Sequence, residues 1–89
     1  MLVRLAKVRE AQGDLTEALK CYEAALASFE QFGDRFNGAN VLASIGDLLK
    51  KSGDTEKSRA AYSKAAEIFG HLGMTERHSE LVSAADGKS

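Results

Sequence analysis

The amino-acid sequence predicts an all-α protein, a right-handed α-solenoid in which five helices form antiparallel pairs. The first observation is a glycine every 20 residues across most of the 89-residue chain, at Gly13, Gly33, Gly53 and Gly73. Glycine can adopt the left-handed conformation that ends a helix. The second observation is the composition between these glycines, which contains no proline and is rich in residues that favour helix.

The residue after each glycine predicts where the next helix begins. Asp14, Asp34 and Asp54 follow the first three glycines. An aspartate in that place can accept hydrogen bonds from the free N–H groups of a helix N-terminus. Each Gly-Asp pair is therefore interpreted as the end of one helix and the start of another.

The chain also repeats itself. A shift of 40 residues aligns Leu2 with Leu42, Gly13 with Gly53, Tyr22 with Tyr62, Ala25 with Ala65 and Phe29 with Phe69. Self-similarity at this period, divided by glycines into halves of 20, indicates a helix pair present about twice. The predicted organisation is repeat 1 over residues 1–33, repeat 2 over 34–73, a capping helix over 74–85 and a flexible tail over 86–89.

Apolar spacing supports a helix in each of the first two intervals. In the first, Leu2, Leu5 and Val8 recur every three positions, so they share one side of a helix that runs to about Gln12. The second helix begins at Asp14, with Glu17 in the place of a capping box. Its apolar residues, at steps of three and four, are Leu15, Ala18, Leu19, Tyr22, Ala25, Leu26, Phe29 and Phe32.

The pattern returns in the second copy. The third helix carries Val41, Leu42, Ile45, Leu48 and Leu49, and the fourth carries Ala61, Tyr62, Ala65, Ile68, Phe69 and Leu72. A fifth helix is predicted from about Thr75 to Ala85, with Thr75 as its N-cap because methionine at position 74 cannot accept the bonds. Its polar residues, Glu76, Arg77, Glu80 and Ser83, are expected on the outer side of the stack.

Composition and charge narrow the class of function. A formal net charge of −1 provides no basic field for phosphates, so we expect no nucleic-acid partner. The start of the chain lacks the long apolar stretch of a secretion signal or membrane span, so we expect a cytoplasmic protein that does not contact membranes. Cys21 is the only cysteine, so no internal disulfide can form.

The repeated pattern resembles the tetratricopeptide repeat (TPR), in a variant with a 40-residue period. The family's unit places an apolar residue, then Leu and Gly, before a turn of the Gly-Asp type. After the turn it places a small residue, an aromatic and an alanine. Those places are held here by Leu42, Ile45, Gly46, Gly53, Asp54, Ser58, Tyr62 and Ala65, and by Leu2, Leu5, Ala6, Gly13, Asp14, Ala18, Tyr22 and Ala25. The chain departs from this pattern in three ways. Arg9 stands where a large apolar residue is expected, and Glu30 and Gly70 stand where the family usually has proline. Leu2 and Leu42 replace the family's aromatic residue near the start of its first helix.

The resemblance implies a protein–protein interaction module whose first helices line a concave groove for a peptide or helix of a partner. The polar stripes that face away from the apolar residues are Arg4 and Lys7 in repeat 1, and Asn40, Ser44, Asp47 and Lys51 in repeat 2. These six are the candidate partner-binding residues, and a merely solvated face is the alternative interpretation. Val3 and Ala43 replace the lysines with which some members grip C-terminal carboxylates, which disfavours that ligand.

Nothing in the sequence supports catalysis. His71 and His78 fall in different predicted helices and stand beside no acidic or cysteine cluster, so a surface location near the turn is expected. Cys21 lies next to Tyr22 and is interpreted as a packing residue. We expect no enzyme activity, no cofactor and no metal.

A second hypothesis on function is self-assembly. In it the apolar N-terminal end packs on another copy, or helices exchange between chains, to give a homodimer.

Overall fold

The computed structural model describes residues 2–86, which form five α-helices and confirm the predicted all-α repeat. These are α1 (Leu2–Ala11), α2 (Leu15–Gln31), α3 (Arg35–Lys51), α4 (Thr55–His71) and α5 (Thr75–Ala85). Each helix packs on the one that follows it in sequence. Because three-residue turns join them, neighbours run antiparallel. Of the predicted tail, residues 87–89 lie outside the described residues.

The four glycine turns have one geometry. Their φ angles are 82°, 71°, 89° and 79° at Gly13, Gly33, Gly53 and Gly73, all in the left-handed region. The three aspartates that follow cap the next helices, each accepting from the N–H of the third residue on at 3.2 Å. The predicted helix boundaries at Asp14, Asp34 and Asp54 are therefore confirmed.

One capping prediction was wrong, and another is confirmed only in half. Thr75 is the first residue of α5, and Met74 occupies the N-cap place without a side-chain cap bond. The turn geometry decides this, because the residue after each of the four glycines takes the N-cap conformation. The Met74 side chain instead packs against the core. In the proposed capping box, the Asp14 carboxylate accepts from Glu17 N as expected. The Glu17 carboxylate does not return to the Asp14 N–H and instead pairs with Lys20 at 3.5 Å.

The core consists of two clusters that meet at α3. One surrounds Tyr22 between α1, α2 and α3, and the other surrounds Phe69 between α3, α4 and α5. Helix α3 supplies Val41, Ile45 and Leu48 to the first cluster, and Ala39, Leu42 and Ala43 to the second. Burial of each large apolar side chain stabilises the fold by about 1.5 to 3 kcal/mol. The central helix therefore ties the two repeats into one core.

Equivalent apolar residues have different exposure in the two repeats. Ile45 and Leu48 of α3 are 6% and 1% exposed, in the cluster to which α2 contributes. Their counterparts in α1, Leu5 and Val8, are 43% and 45% exposed. No described helix lies on α1 in the place that α2 takes on α3. The described chain therefore presents an apolar face on α1.

Candidate partner-binding groove

A groove of about 680 Å³ runs across the first helix of each repeat and reaches α5. Its apolar lining comes from α1, α2 and α3, namely Leu2, Val3, Ala25, Phe29, Val41 and Ala43. Its polar lining consists of Lys7, Ser28, Asn37, Asn40, Ser44, Asp47 and Arg77. This combination of apolar surface and a few polar groups is typical of a ligand-binding cleft.

The structure brings four of the six sequence-predicted residues together in this groove. Lys7 comes from α1, and Asn40, Ser44 and Asp47 come from α3. The three α3 residues share one side of the helix because they are three or four positions apart. Asn40 and Ser44 are half-buried, whereas Lys7 and Asp47 are exposed. Arg4 is exposed on α1 and does not line the groove.

Lys51 also lies outside the groove, in an ion pair that sequence reasoning did not identify. Its ammonium donates to Glu10 Oε2 at 2.6 Å, which joins the C-terminal ends of α1 and α3. The Glu10 carboxylate raises the pKa of Lys51. The other Glu10 oxygen, Oε1, accepts from the Tyr22 hydroxyl at 3.1 Å. Lys51 therefore has a structural partner within the chain.

Asp47 is held by the second repeat's tyrosine. The Tyr62 hydroxyl donates to Asp47 Oδ1. Burial, followed by the Asp47 carboxylate, raises the pKa of Tyr62 to about 12. Burial and Glu10 raise the pKa of Tyr22 to about 12 in the same way, with Ser44 acting in the opposite direction. Both phenols therefore remain neutral at physiological pH and orient a carboxylate of a neighbouring helix.

Arg77 is a groove residue that the sequence analysis placed wrongly on the outer, solvated side. Its guanidinium carbon lies 5.2 Å from the centroid of the Phe69 ring, and Nη1 lies 3.5 Å from Glu80 Oε2. The attraction between the cation and the buried ring fixes the side chain over the groove. The 40-residue repeat contained the signal, because Arg77 is equivalent to Asn37, another lining residue.

The groove also receives residues that the sequence analysis assigned to other roles. Phe29 was interpreted as core, and it does pack against the first core cluster, but it is only half-buried and also lines the groove. Val3 and Ala43, which stand where the resemblance would place clamp lysines, supply apolar lining instead. Asn37 lines the groove while its amide donates to Asp34 Oδ2 at 2.7 Å. The groove is therefore more apolar than the polar stripes alone predicted.

The histidines and the cysteine lie away from this groove. His78 is half-buried rather than on the surface, because its Nδ1 donates to the Ala66 carbonyl at 2.8 Å. His71 is exposed, and Cys21 is half-buried against the first core cluster. Among residues 2–86, no group of three or more His, Cys, Asp or Glu side chains is placed to hold a metal ion. None of the helices in this range has the length and apolar character to cross a membrane.

Comparison with known proteins identifies the repeat. The tetratricopeptide repeat family model matches residues 1–70, which covers predicted repeat 1 and predicted repeat 2 up to the last residue but one of α4. No curated protein and no solved structure shows a significant match to the chain. The helix pairs, the glycine turns and this match agree, and the chain belongs to the tetratricopeptide repeat family.

Proposed function

We propose that this protein binds a peptide segment or helix of a partner protein in the groove across α1, α3 and α5, as a non-catalytic cytoplasmic scaffold. TPR domains generally mediate protein–protein interactions. The observation that supports this site best is the groove itself, which combines an apolar lining with Asn40, Ser44 and Lys7 along its length. A solvated face with no ligand does not require an apolar lining of this kind.

The electrostatics of the lining support a fixed rather than an adaptable site. Asp47 and Arg77 are held by Tyr62 and Phe69, both of which are buried. Side chains that are already positioned lose little conformational freedom when a ligand binds. The partner would therefore meet a preformed surface.

Selection from a displayed library of random peptides against the folded chain tests the proposal. We expect the selected peptides to shift the backbone amide signals of Asn40 and Ser44 in heteronuclear NMR spectra. The double substitution Asn40→Ala with Ser44→Glu should abolish the shifts that the same peptides cause at the neighbouring lining residues Val41 and Ala43, while circular dichroism and the melting curve stay close to those of the parent.

The matched control places changes of the same kind on a surface away from the groove. Thr55 and Ser63 of α4 are exposed and do not line it, so Thr55→Ala with Ser63→Glu, which changes the net charge by the same amount, should leave binding unchanged. If the selected peptides shift signals only outside the groove, or if both double variants bind equally well, the proposal is wrong.

A second candidate function is homodimer formation through the exposed apolar face of α1. Leu2, Leu5 and Val8 are 40%, 43% and 45% exposed on one side of that helix. Packing of this face on a second copy would remove apolar surface from water, which stabilises by roughly 25 cal/mol for each Å² buried. Isologous contact between two α1 helices gives a closed dimer.

Light scattering coupled to size-exclusion chromatography tests the dimer. We expect twice the monomer mass for the parent chain, and the monomer mass for Leu5→Glu, which places a charge in the middle of the face. Lys20→Glu, on an exposed part of α2, is the control and should remain dimeric. A parent chain that stays monomeric at high concentration excludes this candidate.

A further inference from the structure

The apolar face of α1 carries a charge that the equivalent face of α3 lacks. We infer that this face binds an amphipathic helix of a partner protein, with an acidic residue of that helix placed against Arg9. The inference goes beyond the groove, because Leu5, Val8 and Arg9, on which it depends, do not line the groove. It also names an occupant that competes with a second copy of the chain.

The second repeat shows how a helix packs on a face of this kind. Near the start of α3, a β-carbon at Gly38 would lie 3.7 Å from Leu26 and 3.9 Å from Phe29, which are in the second half of α2. Because the two helices are antiparallel, the start of α2 lies beside the end of α3. Leu15 at that start and Leu49 at that end pack against the same core cluster. The covering helix therefore has its first turn at the end of the helix that it covers.

The 40-residue shift transfers this arrangement to α1. Val8 is equivalent to Leu48, which is 1% exposed, and Arg9 is equivalent to Leu49. Leu5 and Arg9 are four positions apart, so they share one side of α1. A helix that lay on α1 as α2 lies on α3 would therefore cover the apolar residues and place its first turn against the Arg9 guanidinium.

Arg9 requires an acidic partner when this face is covered. Its guanidinium donates to Gln12 Oε1 at 3.3 Å, and it pairs with no acid among residues 2–86. The same is true of Arg4, which is also exposed on α1. The one acid of α1, Glu10, has a side chain that is 15% exposed and is already bonded to Lys51. Because covering a charge without a partner is costly, the face needs a carboxylate from the helix that covers it.

A second α1 helix does not supply this carboxylate. Helix α1 carries the cations Arg4, Lys7 and Arg9, and its one acid is already bonded. Contact between two copies of α1 therefore brings like charges together and leaves each Arg9 unpaired. A partner helix with an acidic residue in its first turn removes both costs, and helices favour acids in that turn. Such a helix should therefore displace a second copy from this face.

Three capped peptides built on the α2 sequence, with serine in place of the cysteine, test the inference. They are Ac-DETEALKSYEAALASFEQ-NH2 and its analogues with Q or K at the second position, the place of Leu15. Titrations followed by the amide signals of Leu5 and Val8 should show the acidic peptide binding about twofold to fivefold more tightly than the Q analogue, since one partly exposed ion pair is gained. The K analogue should bind more weakly still. The preference should decline as the salt concentration rises from about 20 mM to about 500 mM.

Charge reversal in the protein supplies the matched control. Arg9→Glu should reverse the order, so that the K peptide binds most tightly. Arg59→Glu changes the net charge equally on the exposed surface of α4 and should keep the order of the parent. Because the same three peptides are compared in each protein, differences in their own helix content cancel. Arg9→Gln adds no acid to α1 and should make the acidic and Q peptides bind equally, which keeps the test valid if Arg9→Glu unfolds.

The outcomes distinguish the occupants of the face. Excess acidic peptide should convert any dimer to the mass of one chain with one peptide in light scattering. Equal binding of the three peptides to the parent would overturn the role of Arg9. If no peptide shifts the α1 signals and the chain is dimeric, or if only vesicles containing phosphatidylserine shift them, the occupant is a second copy or an anionic membrane and the inference is wrong. The groove is tested separately by the signals of Asn40 and Ser44, so either proposal can fail alone.

Discussion

Gly46 of α3 lies directly against the ring of Tyr62 on α4. A β-carbon built at position 46 would lie 2.7 Å from two ring carbons of Tyr62. The same contact brings the tyrosine hydroxyl to Asp47. The Gly46 carbonyl in turn accepts from the buried Ser58 hydroxyl at 2.7 Å. The absence of a side chain at Gly46 therefore sets the distance between α3 and α4, and with it the position of a groove carboxylate.

Gly46→Ala should destabilise the protein. The added methyl group overlaps the Tyr62 ring, which is buried and cannot move aside without disturbing the second core cluster. Overpacking of this kind costs about 1 to 3 kcal/mol. Thermal unfolding followed by circular dichroism should show a melting temperature lower by roughly 4 to 8 °C for each kcal/mol lost.

Gly38→Ala, on the same helix, is the control and should have the opposite sign. A β-carbon at Gly38 would lie 3.7 Å from Leu26 Cδ1, an ordinary contact distance. Replacing this glycine, the fourth residue of α3, by alanine then stabilises by up to about 1 kcal/mol. Equal destabilisation by both substitutions would show that helix α3 cannot accept any added volume, and would contradict the specific role of Gly46.

The features predicted well from the sequence are those that depend on near neighbours in the chain. A turn glycine, the aspartate after it and the first N–H groups of a helix lie within four residues, so their geometry follows from local preference. Met74 shows the limit of this reasoning. Met74 is the N-cap because of the turn geometry common to all four glycines, although its side chain makes no cap hydrogen bond. Packing of that side chain against the core compensates for the missing bond.

The groove could be predicted only in part, because several of its properties depend on contacts between helices. The ion pair of Lys51 with Glu10 joins residues 41 positions apart, and no local pattern indicates it. Arg77 was misplaced because its partner is the buried Phe69 ring rather than solvent. Applying the 40-residue shift to α5 would have placed Arg77 beside Asn37.

Removal of an N-cap should weaken α4. Asp54 accepts from Lys57 N at 3.2 Å, and Asp54→Ala leaves this N–H without its partner. The expected cost is about 1 kcal/mol, and Asp54→Asn should retain most of the stability because asparagine caps equally well. Urea denaturation curves measure both. If the alanine and asparagine variants were equally destabilised, the loss would come from charge rather than from the cap.

Equivalent leucine and isoleucine positions should respond differently to truncation. Ile45→Ala removes a side chain that is 6% exposed and should cost about 2 to 5 kcal/mol. Leu5→Ala acts at the matching position of α1, which is 43% exposed, and should cost far less in a monomer. Chemical denaturation at low protein concentration measures both. A large, concentration-dependent cost for Leu5→Ala would instead favour the homodimer.

Alkaline pH should destabilise the fold through its two tyrosines. The pKa of each is raised from 10.0 to about 12 in the folded state. Above pH 10 the unfolded chain therefore releases these protons first, and the free energy of unfolding falls as the pH rises from about 10 to about 12. Each tyrosine contributes at most about 3 kcal/mol to this loss. The raised pKa of Lys51 acts in the same direction.

Absorbance at the phenolate band, in native and denatured protein, measures the two titrations, and urea denaturation at each pH measures stability. Tyr62→Phe retains the ring and removes the group that donates to Asp47. This variant should be less stable than the parent near pH 9, because a hydrogen bond to a charged acceptor is lost. The difference should shrink toward pH 12, where the parent loses the same bond by ionisation. A difference that stayed constant across this range would mean that Tyr62 does not titrate with unfolding, and would contradict the raised pKa.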